Sequence, residues 1–320
     1  MPSLSHTIIE YPDLPLRLDR YVSEKLCILS RSQIKARELK AKINGKDVKL
    51  SRDVKQGELL ELCWTETPPL YLIPQDIFLD IIYEDKNCVV VNKAQGMVVH
   101  PGAGNRQGTL ANALFFRQQK KIAAKDASAG KVFKDSLRPG IVHRLDKDTS
   151  GIIIAAYNEE AHEFLSEQFK SRKVKKYYIA IVQGKPDTQG RIETFIARDP
   201  GSRKQFAVLN STSNAANAKT AVTFYKVIKN WGSHSLVLLR PRTGRTHQLR
   251  VHMRHLGCPI LGDSVYGRKD KIFPQAGLML HSKKLIITIP GEEEERVFTS
   301  QMPERFTEAI KTLNRISVDE

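Results

Sequence analysis

Ile141-Val-His-Arg-Leu-Asp-Lys-Asp-Thr-Ser-Gly151 joins an apolar segment to a polar turn and leaves one carboxylate, Asp146, at the junction. Pro139 and Gly140 punctuate its start, and Gly151 opens the apolar run Ile152-Ile-Ile-Ala-Ala156. The pattern predicts a strand up to Asp146, a turn, and a second buried strand from 152, which would give the carboxylate a fixed position. Taken alone, the segment 146–151 is also an ordinary turn capped by its own side chains.

Working outward, short strand-like runs predominate at 81–83, 89–91, 152–156, 178–182, 222–225, 236–239 and 285–289. Among these runs helical periodicity appears at 161–169 and again at 303–313, where Phe306, Ile310 and Leu313 share a face. Strands that follow strands, with few helices between them, predict an α+β fold with a mainly antiparallel, mixed β-sheet. This large domain is predicted over 79–320. Ahead of it are a tail at 1–14, a small α/β module at 15–64 and a proline-rich linker at 65–78. In the small module Leu18, Tyr21, Val22 and Leu26 recur at helical spacing, and Ser30 or Ser32 is placed to cap a second helix carrying Ile34 and Leu39. Asn44-Gly45 then signals a hairpin. The segment 117–138, rich in Lys, Ala, Ser and Gly, is predicted to be an exposed loop, and 292–295 a solvated turn.

The chain has 320 residues and a net charge of +16. A charge this one-sided favours a polyanionic partner, and nucleic acid is the natural one because Lys and Arg release counterions from phosphates. There is no long apolar stretch or basic amphipathic anchor for a membrane, and the N-terminus lacks signal-peptide character. Cys27, Cys63, Cys88 and Cys258 are scattered with no Cys-x-x-Cys pair, which argues against a zinc ribbon or disulfide framework. The expectation is a cytoplasmic protein with reduced thiols, acting as a monomer.

Four blocks in order carry a resemblance. His143-Arg-Leu-Asp-Lys-Asp-Thr-Ser-Gly151 resembles the active-site motif of the RluA-type family of RNA pseudouridine synthases. Lys176-Tyr-Tyr-Ile-Ala-Ile-Val-Gln-Gly184 resembles its second motif, and Arg242-Thr-Gly-Arg-Thr-His-Gln-Leu-Arg-Val-His252 its third. Val91-Asn-Lys-Ala-Gln-Gly-Met-Val-Val-His-Pro-Gly102 matches upstream. Domain order and Asn105-x-x-Gly-Thr-Leu-x-Asn112 are most similar to the RluD-like branch, which acts on large-subunit ribosomal RNA. The 15–64 module resembles the S4 RNA-binding domain. Its segment from Arg17 to Glu61 holds twelve basic against seven acidic residues, and Arg31, Lys35 and Arg37 are the phosphate-binding candidates.

The resemblance implies a pseudouridine synthase fold and a reaction that needs no metal, nucleotide or redox cofactor. The uridine N1–C1′ bond breaks, the detached uracil turns, and C5 bonds to C1′. It implies Asp146 as the catalytic carboxylate, acting either as nucleophile on C1′ or as base toward the ribose. Arg250 is its implied cationic partner, with Arg245 the next candidate, and Tyr178 is the tyrosine implied to lie against the uracil and assist C5 deprotonation. Under strand alternation only one of Tyr177 and Tyr178 can face the site. Arg144 is the residue implied to fill the space left by a flipped base, and Leu280 lies behind the pocket. This chain departs from the family with Ser282 after Leu280-His281, and with Ala155-Ala-Tyr-Asn158. A metal site built from His247, His252, His255 and Asp263 is the weaker alternative, since Arg250 and Arg254 would repel a cation. The competing function is a non-catalytic RNA-binding or ribosome-assembly factor, which would not require Asp146, Tyr178 and Arg250 together.

Overall fold

The computed structural model describes residues 3–8, 14–65, 72–102, 104–123, 140–199, 201–202, 205–209 and 218–317. The chain divides into two compact units, Met1–Tyr71 and Leu72–Glu320.

The first unit comprises β1 (Ser3–Thr7), β2 (Leu16–Arg17), a helical turn α1 (Leu18–Arg20) that widens into a π-turn at Tyr21–Lys25, α2 (Arg31–Ala36), β3 (Lys40–Ile43), β4 (Lys46–Val48), β5 (Asp53–Val54) and β6 (Leu59–Cys63). Its sheet runs β1-β6-β3-β4 and closes over Leu18, Tyr21, Val22, Ile34, Leu60 and Leu62. Ser30 is the cap of α2. Its hydroxyl accepts from Gln33 N, and the Gln33 side chain reaches back to Ser30 N. Asn44 and Gly45 both take positive φ, as the two-residue turn between β3 and β4 demands. Two expectations are corrected. The helix stops at Ala36, so Leu39 enters the core from the following loop. The supposed tail at 1–14 contributes β1, paired with β6 from Ser3↔Cys63 to Thr7↔Leu59. The reason is a two-residue alternation in which Leu4 and Ile8 pack on the core.

The second unit comprises β7 (Asp80–Glu84), β8 (Cys88–Lys93), α3 (Leu110–Ala123), β9 (Ser150–Ala156), α4 (Glu159–Lys170), β10 (Lys175–Gln183), β11 (Gln189–Arg198), β12 (Phe206–Leu209), β13 (Lys219–Asn230), β14 (His234–Pro241), α5 (Gln248–His255), β15 (Leu280–Ile287), β16 (Arg296–Thr299) and α6 (Glu304–Ile316). Among the described residues these strands form a ten-stranded mixed sheet of order β12-β11-β13-β14-β10-β15-β9-β8-β7, with β16 on β15. β15 and β9 pair in parallel, His281↔Ser150 and Ser282↔Gly151; the other ladders are antiparallel. One core cluster joins β8, β9 and β10 to α3 and α6, and another joins β9 and β15 to α4.

Several sequence expectations shift here. The stretch before Asp146 is not a strand: only Ile141 bridges, to Ala155, before the chain leaves the sheet. Gly140 comes so close to β9 that an added Cβ would lie 1.8 Å from Ala156 O, so only a residue without a side chain fits where the segment meets the strand. Residues 117–123 are not loop but the end of α3, where Arg117 and Lys121 pair with Glu84; 124–138 lies outside the described residues. The linker ends earlier than 78. Leu72 is buried in the second unit, and Ile73 O accepts from Asn112. No helix among the described residues is long and apolar enough to cross a membrane.

Candidate active site

A cleft of about 430 Å³ opens where β10, β14 and the N-terminus of α5 meet the loop that carries Asp146. The loop is sewn down on both sides of the carboxylate. Before it, Ala156 N donates to Gly140 O (2.7 Å), and His143 Nε2 accepts from Ile154 N (3.0 Å) while its ring stacks on Phe169. Burial depresses the His143 pKa to about 3, so the ring stays neutral and free to accept. After it, Lys147 O accepts from Gly96 N (2.9 Å) and from the Lys93 ammonium (3.1 Å), which also caps Ala94 O and Met97 O. Lys93 is 1 % exposed, and burial lowers its pKa to about 8 against the pull of Asp148 and Asp146. Leu145, buried between these ties, leaves Asp146 facing the cleft.

The opposite wall is the segment between β14 and α5. Gln248 holds it in shape: its Oε1 accepts from Thr243 Oγ1 (2.7 Å) and Arg245 N (3.0 Å), and its Nε2 donates to Val222 O. His247 turns the chain in the left-handed region, and Arg250 emerges from the first turn of α5. Its guanidinium is bidentate to Asp263, Nε to Oδ2 and Nη2 to Oδ1, both at 2.7 Å, while Nη1 reaches Asp146 Oδ2 at 3.5 Å. Asp263 is completely buried and also accepts from Val265 N and Tyr266 N. Burial raises the Asp263 pKa, but the Arg250 bonds outweigh it and hold the carboxyl below its ordinary value. Arg250 is likewise raised despite burial by Asp263 and Asp146. His247 Nε2 stands 3.9 Å from Asp146 Oδ2 and its Nδ1 meets the Tyr266 hydroxyl. Burial lowers its pKa, so at neutral pH this contact is that of an uncharged imidazole rather than an ion pair.

Tyr178, on β10, lines the cleft beside Leu280, while Tyr177 faces the other side of the sheet. Burial, opposed by a hydrogen bond to Ser282 and reinforced by the Asp146 charge, raises the Tyr178 pKa to about 12. Arg144 and Arg245 also line the cleft. Arg144 is exposed, and Arg245 Nε is tied to Thr220 O (3.1 Å). Thus Asp146, Tyr178, Arg250, Arg144, Arg245 and Leu280 come together. Arg31, Lys35 and Arg37 belong to the first unit; Arg31 and Lys35 border a shallow depression there with Arg17 and Asp19.

The metal alternative fails on contacts. His252 uses one ring nitrogen on Thr223 and the other on Thr194, and both Asp263 oxygens serve Arg250. Sequence reading missed Asp263 as the anchor of Arg250 and His247 as a neighbour of Asp146. Each was visible only as part of that supposed metal set, and nothing in the spacing links position 263 to 250. Lys93 was equally hidden inside an upstream motif.

A mixed sheet with an aspartate-bearing loop clamped over its centre is the architecture of the pseudouridine synthases, enzymes that isomerise uridine within RNA. The chain belongs to the RNA pseudouridylate synthase family, whose description matches residues 87–255. It is 44% identical over 299 residues to the ribosomal large subunit pseudouridine synthase D of Borreliella burgdorferi, covering 91% of this chain and 87% of that protein. It is 39% identical over 259 residues to the protein of the same name from Zymomonas mobilis, covering 80% and 78%. Among solved structures, human RNA pseudouridylate synthase domain containing 4 superimposes with a TM-score of 0.57 at 28% identity, over 73% of this chain and 92% of that one.

Proposed function

We propose that this enzyme converts uridines of large-subunit ribosomal RNA to pseudouridine, with Asp146 as the catalytic carboxylate. The observation that carries the assignment of Asp146 is its position at 3.5 Å from an arginine whose other two donors are already taken by buried Asp263. That leaves Nη1 as a cation aimed at Asp146, which orients the carboxylate toward the sugar. The target uridine leaves its stack and enters the cleft, and Arg144 at the mouth fills the vacated space. The N1–C1′ bond breaks, C5 takes the place of N1 on C1′, the C5 proton goes to solvent, and N1 gains one. With a pKa of about 12, Tyr178 is a phenol at neutral pH, so it positions the uracil rather than supplying a standing phenolate. Leu280 closes the apolar side of the pocket.

The first unit is an S4-like RNA anchor in this reading, with Arg31, Lys35 and Arg37 on phosphates, and the enzyme works as a cytoplasmic monomer without cofactor. The deciding experiment is tritium release from ribosomal RNA labelled at uridine C5. Wild type releases tritium, whereas Asp146→Asn binds the RNA within a few-fold and releases none. Release by Asp146→Asn at the wild-type rate removes Asp146 from the chemistry. No release by wild type on free RNA or immature subunits favours a non-catalytic binding factor.

A further inference from the structure

The back of the large sheet carries a row of side chains that the cleft does not use. Tyr177 of β10 pairs with Lys284 of β15, and Arg240 of β14 lies on its other side, one place beyond the Tyr178↔Leu239 pair. Arg240 in turn pairs with Phe224 of β13, and Phe224 with Arg191 of β11. Across adjacent strands the order is therefore Lys284, Tyr177, Arg240, Phe224, Arg191, with cations and aromatics alternating. The contacts agree with the register: the Lys284 ammonium lies 5.4 Å and the Arg240 guanidinium 5.8 Å from the centre of the Tyr177 ring.

The row is open to solvent where it matters. Phe224 is 38% exposed, and Lys226 and Ile228 continue the exposed face of β13. Arg191 is engaged by Glu193, but among the described residues neither Arg240 nor Lys284 is paired with a carboxylate. A face built only for solubility has no use for an exposed phenylalanine among its cations. Interleaved cations and rings are what a single strand of nucleic acid uses, with phosphates taking the charges and a base lying on a ring. The row lies on the opposite face of the sheet from the cleft but is close to it along the chain. Tyr177 is the chain neighbour of Tyr178, and Arg240 stands two residues before Arg242, and both Tyr178 and Arg242 line the site.

We propose that this row is a second RNA contact, which holds a single-stranded segment flanking the target uridine as it leaves the cleft. Lys284 and Arg240 take phosphates, and Phe224 receives a base. The inference rests on RNA occupying the cleft, so its test separates the two. Binding and tritium release are measured with the full chain on two RNAs that share a target uridine. One is a short stem-loop that only fills the cleft, and the other carries long single-stranded flanks. For the double variant Arg240→Gln/Lys284→Gln, affinity for the flanked RNA falls about tenfold, and the slope of log affinity against log salt flattens by roughly one to two. Binding and turnover of the stem-loop stay at wild-type levels, which shows the cleft intact. Phe224→Ser weakens the flanked RNA alone, and Arg240→Lys with Lys284 retained restores the salt slope. An unchanged salt slope with the flanked RNA overturns the proposal and leaves the row facing solvent or an acidic protein. An equal loss on both RNAs overturns it too, because the row would then act through the cleft.

Discussion

Asp263 occupies two of the three guanidinium nitrogens of Arg250, so the direction of the third is set from behind. Replacing Asp263 with Asn leaves a buried cation without its counter-charge. It is expected to cost about 3 kcal/mol of stability in urea denaturation. It is also expected to lower kcat about a hundredfold through loss of aim, with KM little changed. The sign with pH follows from the depressed carboxyl of Asp263: its stabilisation is complete above the ordinary aspartate range and disappears as pH falls through the lower folded value. Acid titration of wild type against Asp263→Asn reads that difference. Tyr178→Phe keeps the ring and removes the hydroxyl, and kcat is expected to fall by about 10²-fold or more if that group bonds the reacting base. Because its pKa is about 12, the wild-type pH–rate profile should show no limb from Tyr178 below about pH 11, a point settled by comparing wild type with the variant.

Close backbone approach, more than side-chain packing, fixes how the elements carry the loop of Asp146. Gly151 opens β9 with φ +107, and a Cβ there would lie 2.3 Å from Ser282 O on the parallel strand β15. Gly151→Ala is therefore expected to destabilise by about 2 kcal/mol or more, since neither backbone can move aside, and urea unfolding measures it. Glu84 ties β7 to α3 and to the turn after β9, through Arg117, Lys121 and the Tyr157 hydroxyl. Although burial works against it, these partners lower its pKa to about 2. Its stabilisation is present above its unfolded value of about 4.5 and is lost as pH falls through about 2. Glu84→Gln should abolish that acid dependence.

The two units have separate cores, one around Tyr21 and Leu60, the other around the ten-stranded sheet. Cutting the chain after Tyr71 should leave the second unit cooperatively folded by calorimetry. If the first unit anchors RNA, the truncated enzyme should bind RNA more weakly and with a shallower salt dependence. Identical affinity at every salt concentration removes the first unit as an anchor.

The sequence was legible where one local rule decided the outcome. Periodicity located seven strand segments and the cores of α4 and α6, because buried strands and amphipathic helices repeat on short periods. Ser30 and Asn44-Gly45 were legible because caps and tight turns are local chemistry. By contrast β11 and β12 passed unseen, as did α3 and α5. β11 alternates exposed and buried residues unevenly, and α5 is a basic helix buried by what surrounds it. At the site, motif order supplied Asp146, Tyr178 and Arg250. Only the tertiary structure brought Asp263 and Lys93 to them, and only it showed the Asp146 segment leaving β9 after a single bridge instead of continuing as a strand. The sequence by itself determined which groups are present and the local turns that hold them. Pairing over long separations is written in no local period, so the tertiary fold alone decided which charges meet and in what direction they point.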